Sequence, residues 1–489
     1  MAEQSNTSKA FTAVSSQTLV TIGLGVVEIV AFSFMSRLLT KVDFGYYASI
    51  SAIVGIFAVF ADAGIGSAII QKKDADARYI NNAFTNCLIL GAALTLILFS
   101  FSGIIARGVA DVSLKVPLML ISSTLLLNSL SSVGRSILVK QLKFFKVGLI
   151  NLVSLVITSV VAIILAYYGF GYYAILCKAI LGSIITFILY SIYAKTRYRL
   201  ALDKAICKSI WGFSGWMMAS SVFRMLAQQV DKLLMPRMLS IEILGAYNRP
   251  KEFIGNISTR VNGIFDTALF PVLSNIQDQL VSLQNAFKKS LNLMNIGGTV
   301  LSLAFFFNSE LLIRIFFGTQ WLELDTVFKI FSISVMFNVN GRLADCYLRS
   351  LGLTKSQFYF RVAESVIKII AVLVGFKWNM LGVAVAVVLS DIVIKLIKIV
   401  YVGKRINLKA TSIYFTILKS WRFLLIVLPI MVVGTVFIPH TWAGNIILAA
   451  VFCIVHLIVF VVTPSVVGAI YKEEVLPKLL SVLRLKRNK

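Results

Sequence analysis

The sequence predicts an all-α, polytopic membrane protein with about fourteen transmembrane helices. Its 489 residues are 58% hydrophobic and 14% charged, and the mean hydropathy is +0.88. Soluble domains are about 45–50% apolar and about 25% charged, so both shifts indicate a membrane protein. Apolar runs of about 20 residues, the length that crosses a bilayer, recur from one end of the chain to the other. The chain also repeats itself at an offset of about 200 residues, as some transporters do.

Apolar windows place the individual helices, and the first apolar run follows a polar start without a signal-peptide pattern, so it is predicted to be a retained span. The seventh and eighth helices are the least hydrophobic of the set. The fourteen ranges are 14–36, 45–70, 82–106, 114–134, 147–169, 171–194, 211–237, 244–274, 286–308, 325–350, 358–376, 380–402, 421–439 and 443–465.

The loops after even-numbered helices are rich in lysine and arginine, whereas the loops after odd-numbered helices are poor in them. Cytoplasmic loops retain these residues, so both termini are expected in the cytoplasm. The same retention accounts for most of the net charge of +26, and nucleic acid is not expected as a partner.

The internal repeat aligns residues 37–47 with residues 237–247, and residues 144–147 with residues 359–362. In the first alignment Arg37, Gly45 and Tyr47 match Arg237, Gly245 and Tyr247. An even number of helices separates equivalent points, so the two copies enter the membrane in the same direction. The predicted division is an N-terminal lobe over 1–200 (helices 1–6), a C-terminal lobe over 201–410 (helices 7–12), and helices 13–14 with a basic cytoplasmic tail over 411–489.

Three predicted helices carry polar stripes at helical spacing, and ionisable groups at such positions are costly unless they face protein or water. The stripes predict a shared water-filled cavity with net positive charge. Arginine can hold a diphosphate through two parallel hydrogen bonds. The alternatives are pairing within the protein, for example Arg342 with Asp345, and an arginine such as Arg349 that reaches the membrane interface. The stripes are Arg224, Gln228 and Asp231; Arg249, Glu252, Asn256 and Arg260; and Asn338, Arg342, Asp345 and Arg349.

The candidate substrate-binding residues are therefore Arg224, Arg249, Lys251, Arg260 and Arg342. Two acids in the first repeat, Glu28 and Asp62, are candidates for ion coupling, and the alternative places them near the lipid headgroups. The pairs Glu364/Lys368 and Asp391/Lys395 have i,i+4 spacing, which favours a structural role for them.

The sequence gives no sign of an enzyme. It has no G-x-x-x-x-G-K-[ST] phosphate loop. Its five cysteines show no paired spacing, and neither of its two histidines has an acid or a cysteine nearby for a metal site or a catalytic triad. We expect no cofactor, no metal and no catalytic residues.

Several short motifs in order resemble one family of transporters. The segments are 44–45, 64–72, 143–148, 269–271 with 276–278, and 317–318 with Trp321. The chain resembles the polysaccharide transporter family of the MOP flippase superfamily, and is most similar to flippases of the colanic-acid or O-antigen type. The resemblance implies two six-helix lobes around a central cavity plus two C-terminal helices, and alternating access in a bacterial inner membrane. It implies an undecaprenyl-diphosphate-linked oligosaccharide repeat unit as the substrate, and membrane lipids and a polysaccharide polymerase as partners. A monomer is expected because one chain holds both lobes.

Two other functions are compatible with many transmembrane helices. The first is a cation-coupled small-molecule or multidrug antiporter of the same superfamily, for which an acidic cavity is expected. The second is a non-transporting scaffold for envelope assembly, which has little need for costly intramembrane charges. The arginines of the second repeat favour transport of an anion.

Overall fold

The structure, a computed structural model, describes residues 2–462 except 63, 73–75, 110, 196–197, 423 and 440. The side chains of residues 2–19, 62, 209–220, 261–268, 270–272, 274, 354 and 457–462 are not among those described. The predicted basic tail and the side chain of Asp62, a candidate for ion coupling, therefore lie outside the described part of the chain.

Within this part the chain forms seventeen α-helices, and each of the fourteen predicted ranges overlaps at least one of them. The short helices α3, α11 and α15 are additional, and brief 3₁₀ turns occupy Val112–Leu114, Thr319–Leu324 and Phe376–Trp378. The helices are α1 (Ala2–Leu38), α2 (Lys41–Asp62), α3 (Ile65–Gln71), α4 (Ala77–Gly108), α5 (Lys115–Lys140), α6 (Phe144–Tyr167), α7 (Tyr173–Ala194), α8 (Lys204–Met238), α9 (Ile241–Asn275), α10 (Leu280–Phe307), α11 (Ser309–Phe316), α12 (Asp325–Ser350), α13 (Thr354–Gly375), α14 (Asn379–Arg405), α15 (Ala410–Ser420), α16 (Leu424–Phe437) and α17 (Trp442–Val462).

Not all of these helices are apolar enough to be identified as membrane spans by composition. Among the described residues, eight helical stretches are long and apolar enough, or nine if α15 and α16, which meet at 42°, form one span. Helices α8 and α9 are not among them, in line with their low predicted hydrophobicity. The all-α polytopic fold is confirmed, whereas the count of fourteen spans stays a prediction.

The chain divides into two compact units. Unit 1 comprises Met1–Arg249, Phe316–Gly318 and Arg361–Ala386, and unit 2 comprises Pro250–Ile315, Thr319–Phe360 and Val387–Lys489. Helices α9 and α14 each contain a unit boundary, so the units do not follow the predicted lobes over 1–200 and 201–410. The lobe boundaries stay a prediction from the repeat.

The core of unit 1 joins α2, α4, α5 and α7. Leu98 of α4 and Leu118 and Leu125 of α5 are fully buried there, together with Ile50 of α2. Gly91 of α4 lies against Leu126 and Ser129 of α5, where an added β-carbon would be 3.0 Å from the Leu126 backbone. Small residues let membrane helices approach this closely, so α4 and α5 form a tight pair.

Unit 2 has two hydrophobic clusters on α10. In the first, the rings of Phe287 of α10 and Tyr347 of α12 meet edge to face with their centroids 5.1 Å apart, beside buried Ile399 of α14. In the second, Leu303 and Phe307 of α10 pack against α16 and α17. Helix α10 therefore packs against the last two helices of the described part of the chain.

The glycines matched by the internal repeat make a reciprocal contact inside unit 1. A β-carbon on Gly45 of α2 would overlap the carbonyl oxygen of Ile241, and one on Gly245 of α9 would overlap the carbonyl oxygen of Lys41. Lys41 and Ile241 are themselves equivalent in the repeat. Such an exchange of equivalent contacts is what a two-fold relationship produces, so the crossing of α2 and α9 supports the predicted register.

Candidate functional site

Arg249, near the start of α9, is buried among side chains of α1 and α2. Its guanidinium carbon lies 3.3 Å from the ring centroid of Phe32 and 3.9 Å from that of Phe44. Its nitrogens donate to the Ser36 hydroxyl at 2.5 and 3.1 Å and to the Phe32 carbonyl at 2.9 Å. The residue is 5% exposed. Stacking and hydrogen bonding of this kind favour arginine over lysine, and they tie α9 to α1 and α2.

The other four candidate cations are more accessible. Arg224 of α8, in unit 1, is exposed, with its guanidinium 3.4 Å from the Ser221 hydroxyl. Lys251 and Arg260 of α9 and Arg342 of α12, all in unit 2, are half-buried. The five predicted cations are thus divided between the two units, two in the first and three in the second.

Two acids of unit 1, Glu28 and Asp231, differ in their surroundings. Glu28, a candidate for ion coupling, is half-buried on α1. Asp231 of α8 is fully buried, and its carboxylate accepts a hydrogen bond of 2.7 Å from the hydroxyl of Tyr247. Arg224 and Gln228 of the same predicted stripe are exposed. Helical spacing alone placed these three residues on one face, but Asp231 is buried with the Tyr247 hydroxyl on its carboxylate, whereas the other two are exposed.

Helices α12 and α14 share a polar seam inside unit 2. Asp345 of α12 pairs with Lys398 of α14 at 2.5 Å, and the amide of Gln357 lies 3.4 Å from the same carboxylate oxygen. Lys395 pairs with Asp391 at 3.2 Å and also donates to the amide oxygen of Asn338. The predicted Asp391/Lys395 pair is therefore confirmed.

The sequence reading gave no role to Lys398, which is 4% exposed and supplies a described partner of Asp345. Glu364 of the predicted Glu364/Lys368 pair makes a described ion pair with Arg361, at 3.1 Å. Both results show acids satisfied by nearby cations, as the cost of intramembrane charge requires.

A polar cavity lies within unit 1, among α2, α5, α6 and α7. Its volume is about 360 Å³, and eight of its twelve lining residues are polar, none of them acidic. Six neutral polar residues, Tyr47 and Lys178 contribute to the lining. The six are Asn128, Asn151, Ser154, Thr158, Ser183 and Thr186.

This cavity was missed in the sequence because its residues carry no formal charge apart from Lys178. A signal was nevertheless present: Asn151, Ser154 and Thr158 are spaced by 3 and 4 along α6, and Lys178 and Thr186 are two turns apart on α7. Such spacing puts each set on one helix face.

The described residues hold no group of three or more histidine, cysteine, aspartate or glutamate side chains that could bind a metal ion. Cys87 and Cys346 are buried, and Cys177 and Cys207 are half-buried, and none of these four forms a disulfide. These positions fit small packing residues.

The fold matches solved structures of transporters. Lipid II flippase MurJ, in an inward closed conformation, gives a TM-score of 0.71 over 94% of this chain and 99% of that chain, at 15% identity. An inward-facing multidrug resistance MATE family transporter of the MOP superfamily gives a TM-score of 0.65 over 80% of this chain and 98% of that one, at 13% identity. The protein therefore has the fold of the MOP-superfamily membrane transporters.

The family follows from the sequence. The family model for polysaccharide biosynthesis proteins, Polysacc_synt_3, matches residues 34–326, and the chain belongs to this family. It is 22% identical to lipopolysaccharide biosynthesis protein WzxC of Escherichia coli (strain K12) over 386 residues, which cover 78% of this chain and 76% of the relative. It is also 22% identical to succinoglycan biosynthesis transport protein ExoT of Rhizobium meliloti (strain 1021), over 69% of each chain. The resemblance predicted from the short motifs is confirmed.

Proposed function

We propose that this protein is a flippase that moves undecaprenyl-diphosphate-linked oligosaccharide repeat units across a bacterial inner membrane by alternating access. The observation that carries the proposal is that a member of a polysaccharide biosynthesis family has the fold of a membrane transporter. A relative is named as a succinoglycan transport protein, and one structure with the same fold is a flippase for lipid II. Both names describe transport proteins, which supports a transport role here.

The cations predicted from the sequence are proposed to hold the diphosphate of the carrier lipid. Arg224, Lys251, Arg260 and Arg342 have exposed or half-buried side chains that a ligand can approach. Arg249 is buried between two rings, so its proposed role is to fix the start of α9. Arginine suits phosphate because its planar fork donates two parallel hydrogen bonds.

The remaining parts of the proposal concern assembly and energy. The chain is proposed to act as a monomer with both termini in the cytoplasm, to perform no covalent chemistry, and to deliver its product to a polymerase. Glu28 is proposed to bind the coupling proton or cation. Transport that continues at full rate after the proton and sodium gradients are both collapsed would contradict coupling through Glu28 without affecting the flippase proposal.

The test of the function is deletion of the gene in its own bacterium, with plasmid-borne wild-type protein as the control. Lipid-linked sugars are analysed in inside-out membrane vesicles, and surface polysaccharide is measured on whole cells. We expect undecaprenyl-linked repeat units to accumulate on the cytoplasmic face and surface polysaccharide to fall, with recovery on complementation. Intact surface polysaccharide with new sensitivity to cationic drugs would instead identify a small-molecule antiporter.

A further inference from the structure

The cavity in unit 1 lies within helices that are apolar enough to span a membrane. Helices α2, α5, α6 and α7 all belong to the candidate spans. Asn128 stands near the middle of α5 and its side chain is exposed, and it makes no hydrogen bond with a residue that the structure describes. An amide at membrane depth needs partners, which water in a cavity or a polar ligand can supply. The unit-1 cavity therefore has polar groups that can serve as partners for a polar ligand.

The hydroxyls of the cavity are already committed as donors. Thr158, Ser183 and Thr186 donate to carbonyl oxygens one turn back in their own helices, at 2.8, 3.1 and 2.7 Å. A hydroxyl has one hydrogen and two lone pairs. These three side chains therefore offer acceptor sites to the cavity.

The amides supply the complementary donors. The side-chain oxygen of Asn151 accepts from the hydroxyl of Tyr190 at 2.8 Å, which leaves the NH₂ group of Asn151 for other partners. Asn128 offers both an NH₂ group and a carbonyl oxygen. The lining thus presents acceptors on α6 and α7 and donors from two amides and Lys178, together with Tyr47.

This composition argues against three kinds of ligand. A metal cation requires carboxylate or several carbonyl ligands, and none of the lining residues is acidic. A diphosphate has only acceptor oxygens: Lys178 and the two amides could donate to them, but the lone pairs of the three committed hydroxyls would face them without a donor. An isoprenyl chain would leave the amides and hydroxyls without partners in an apolar environment, which is costly.

A sugar hydroxyl, in contrast, both donates and accepts, and it matches a lining that does the same. The volume of about 360 Å³ lies within the range of about 300–1,000 Å³ that is usual for small-molecule sites. We propose that the unit-1 cavity is a saccharide subsite that binds one sugar residue of the transported oligosaccharide. This inference rests on the proposed flippase function and adds to it, because it separates recognition of the sugar from recognition of the diphosphate.

The experiment measures binding of two probes to the purified full-length protein in lipid nanodiscs. The first probe is the free repeat-unit oligosaccharide, prepared by depolymerising the surface polysaccharide of the host bacterium. The second is undecaprenyl diphosphate without sugar. Thr186→Val removes one acceptor with almost no change in shape, and Asn128→Ala removes the amide. Thr186→Ser keeps the hydroxyl and serves as the rescue variant.

We expect Thr186→Val and Asn128→Ala each to weaken oligosaccharide binding about tenfold, the value of a typical hydrogen bond. Binding of undecaprenyl diphosphate should stay within about twofold of wild type, since each arm of the assay reports a different part of the substrate. Thr186→Ser should bind the oligosaccharide as wild type does. The matched control is Thr95→Val on α4, where the hydroxyl donates to the Ser122 carbonyl at 3.1 Å, away from the cavity.

The outcomes separate the subsite from the function. The subsite would be overturned if both variants bound the oligosaccharide as tightly as wild type, or if each variant lost equal affinity for the two probes. In either case, repeat units trapped on the cytoplasmic face after gene deletion would still establish the flippase. Absence of oligosaccharide binding by the wild-type protein would overturn the subsite as well. Melting temperatures of all variants are measured in the same nanodiscs. A loss of binding is interpreted only for variants that are folded.

Discussion

Arg249 shows what a single buried cation does in this protein. It is stacked between Phe32 and Phe44 and bonded to Ser36 and to a backbone carbonyl, so one side chain joins α9 to both α1 and α2. A lysine has neither the planar face for two rings nor the fork for several acceptors. Arg249 therefore joins the three helices mainly through the planar, forked shape of its guanidinium group.

Arg249→Lys is predicted to lower the melting temperature, with a loss of about 2 kcal/mol in the free energy of unfolding. This figure combines a desolvated cation–π contact with hydrogen bonds from a charged group. Thermal unfolding of the purified protein measures the effect. Arg107→Lys, at an exposed position in the last turn of α4, is the control and should leave the melting temperature unchanged. Equal melting temperatures for both variants would contradict a structural role for Arg249.

Asp203, just before α8, gives a pH-dependent contribution to stability. Its carboxylate accepts from the backbone N–H groups of Ala205 and Ile206 and pairs with Arg78 at 2.5 Å. The backbone hydrogen bonds, with the neighbouring Arg78, lower the pKa of Asp203 from its ordinary value of 3.8. A lowered pKa means that the folded state favours the charged form, so the stabilisation is present above the ordinary pKa and is lost as pH falls through the folded pKa.

Asp203→Asn is therefore predicted to lower the melting temperature at pH 7, and the difference from wild type should close as the pH falls below the ordinary pKa of 3.8. Melting curves over this pH range measure the effect. The control is Asp278→Asn, at an exposed position after α9. Its melting temperature should equal that of wild type at both ends of this pH range. If the difference in melting temperature between Asp203→Asn and wild type stayed constant with pH, the charge of Asp203 would not contribute to stability.

At the scale of helices, the crossing of α2 and α9 depends on two glycines. Gly45→Ala and Gly245→Ala each place a methyl group on a backbone carbonyl oxygen that cannot move aside easily. Each substitution is predicted to cost about 1–3 kcal/mol, the usual price of overpacking, and the double variant less than the sum because both act on one crossing. Thermal unfolding measures these losses.

The control for the crossing is Gly297→Ala in α10, where no described atom lies within 4 Å of an added β-carbon. This change should be neutral or slightly stabilising, since alanine has the higher helix propensity. Wild-type stability of Gly45→Ala would show that α2 and α9 do not approach as closely as the structure indicates.

Most of the helices could be predicted because long apolar runs determine them, although α8 and α9 are less apolar. Helices α3, α11 and α15 were not predicted separately, because local breaks decide them: Gly64 before α3 has a φ of +71°, and α15 is set off from α16 by a bend of 42°. The polar seam could be predicted only in part. Spacing along α14 indicated the pair of Asp391 and Lys395, whereas the pairing of Lys398 with Asp345 depends on how two distant segments pack.

Only the charged residues of the candidate site could be predicted from the sequence. Arginines in low-hydropathy helices stand out in a sequence, but the direction of Arg249 into a pair of rings depends on α1 and α2 and has no local signal. The unit-1 cavity is built from neutral side chains on four helices. Serine, threonine and asparagine are common in helix interfaces, so only the packing shows that they surround a space.

At the scale of the whole molecule, the proposed transport requires cations that a ligand can reach. Arg224 in unit 1 is exposed and Arg260 in unit 2 is half-buried, in contrast to Arg249. Arg224→Ala and Arg260→Ala are each predicted to reduce flipping by at least tenfold, because loss of one bidentate contact to a phosphate is worth more than a neutral hydrogen bond. Protein abundance and melting temperature should stay close to wild type.

Both variants are expressed in the deletion strain, where surface polysaccharide and repeat units trapped in inside-out vesicles are measured together with the amount of protein in the membrane. Arg107→Ala, which removes an exposed arginine at the end of α4, is the matched control and should restore polysaccharide fully. Because the two arginines belong to different units, loss of flipping in both variants would mean that each unit contributes to substrate handling. Normal surface polysaccharide in both would remove these arginines from the site while leaving the fold and the family unchanged.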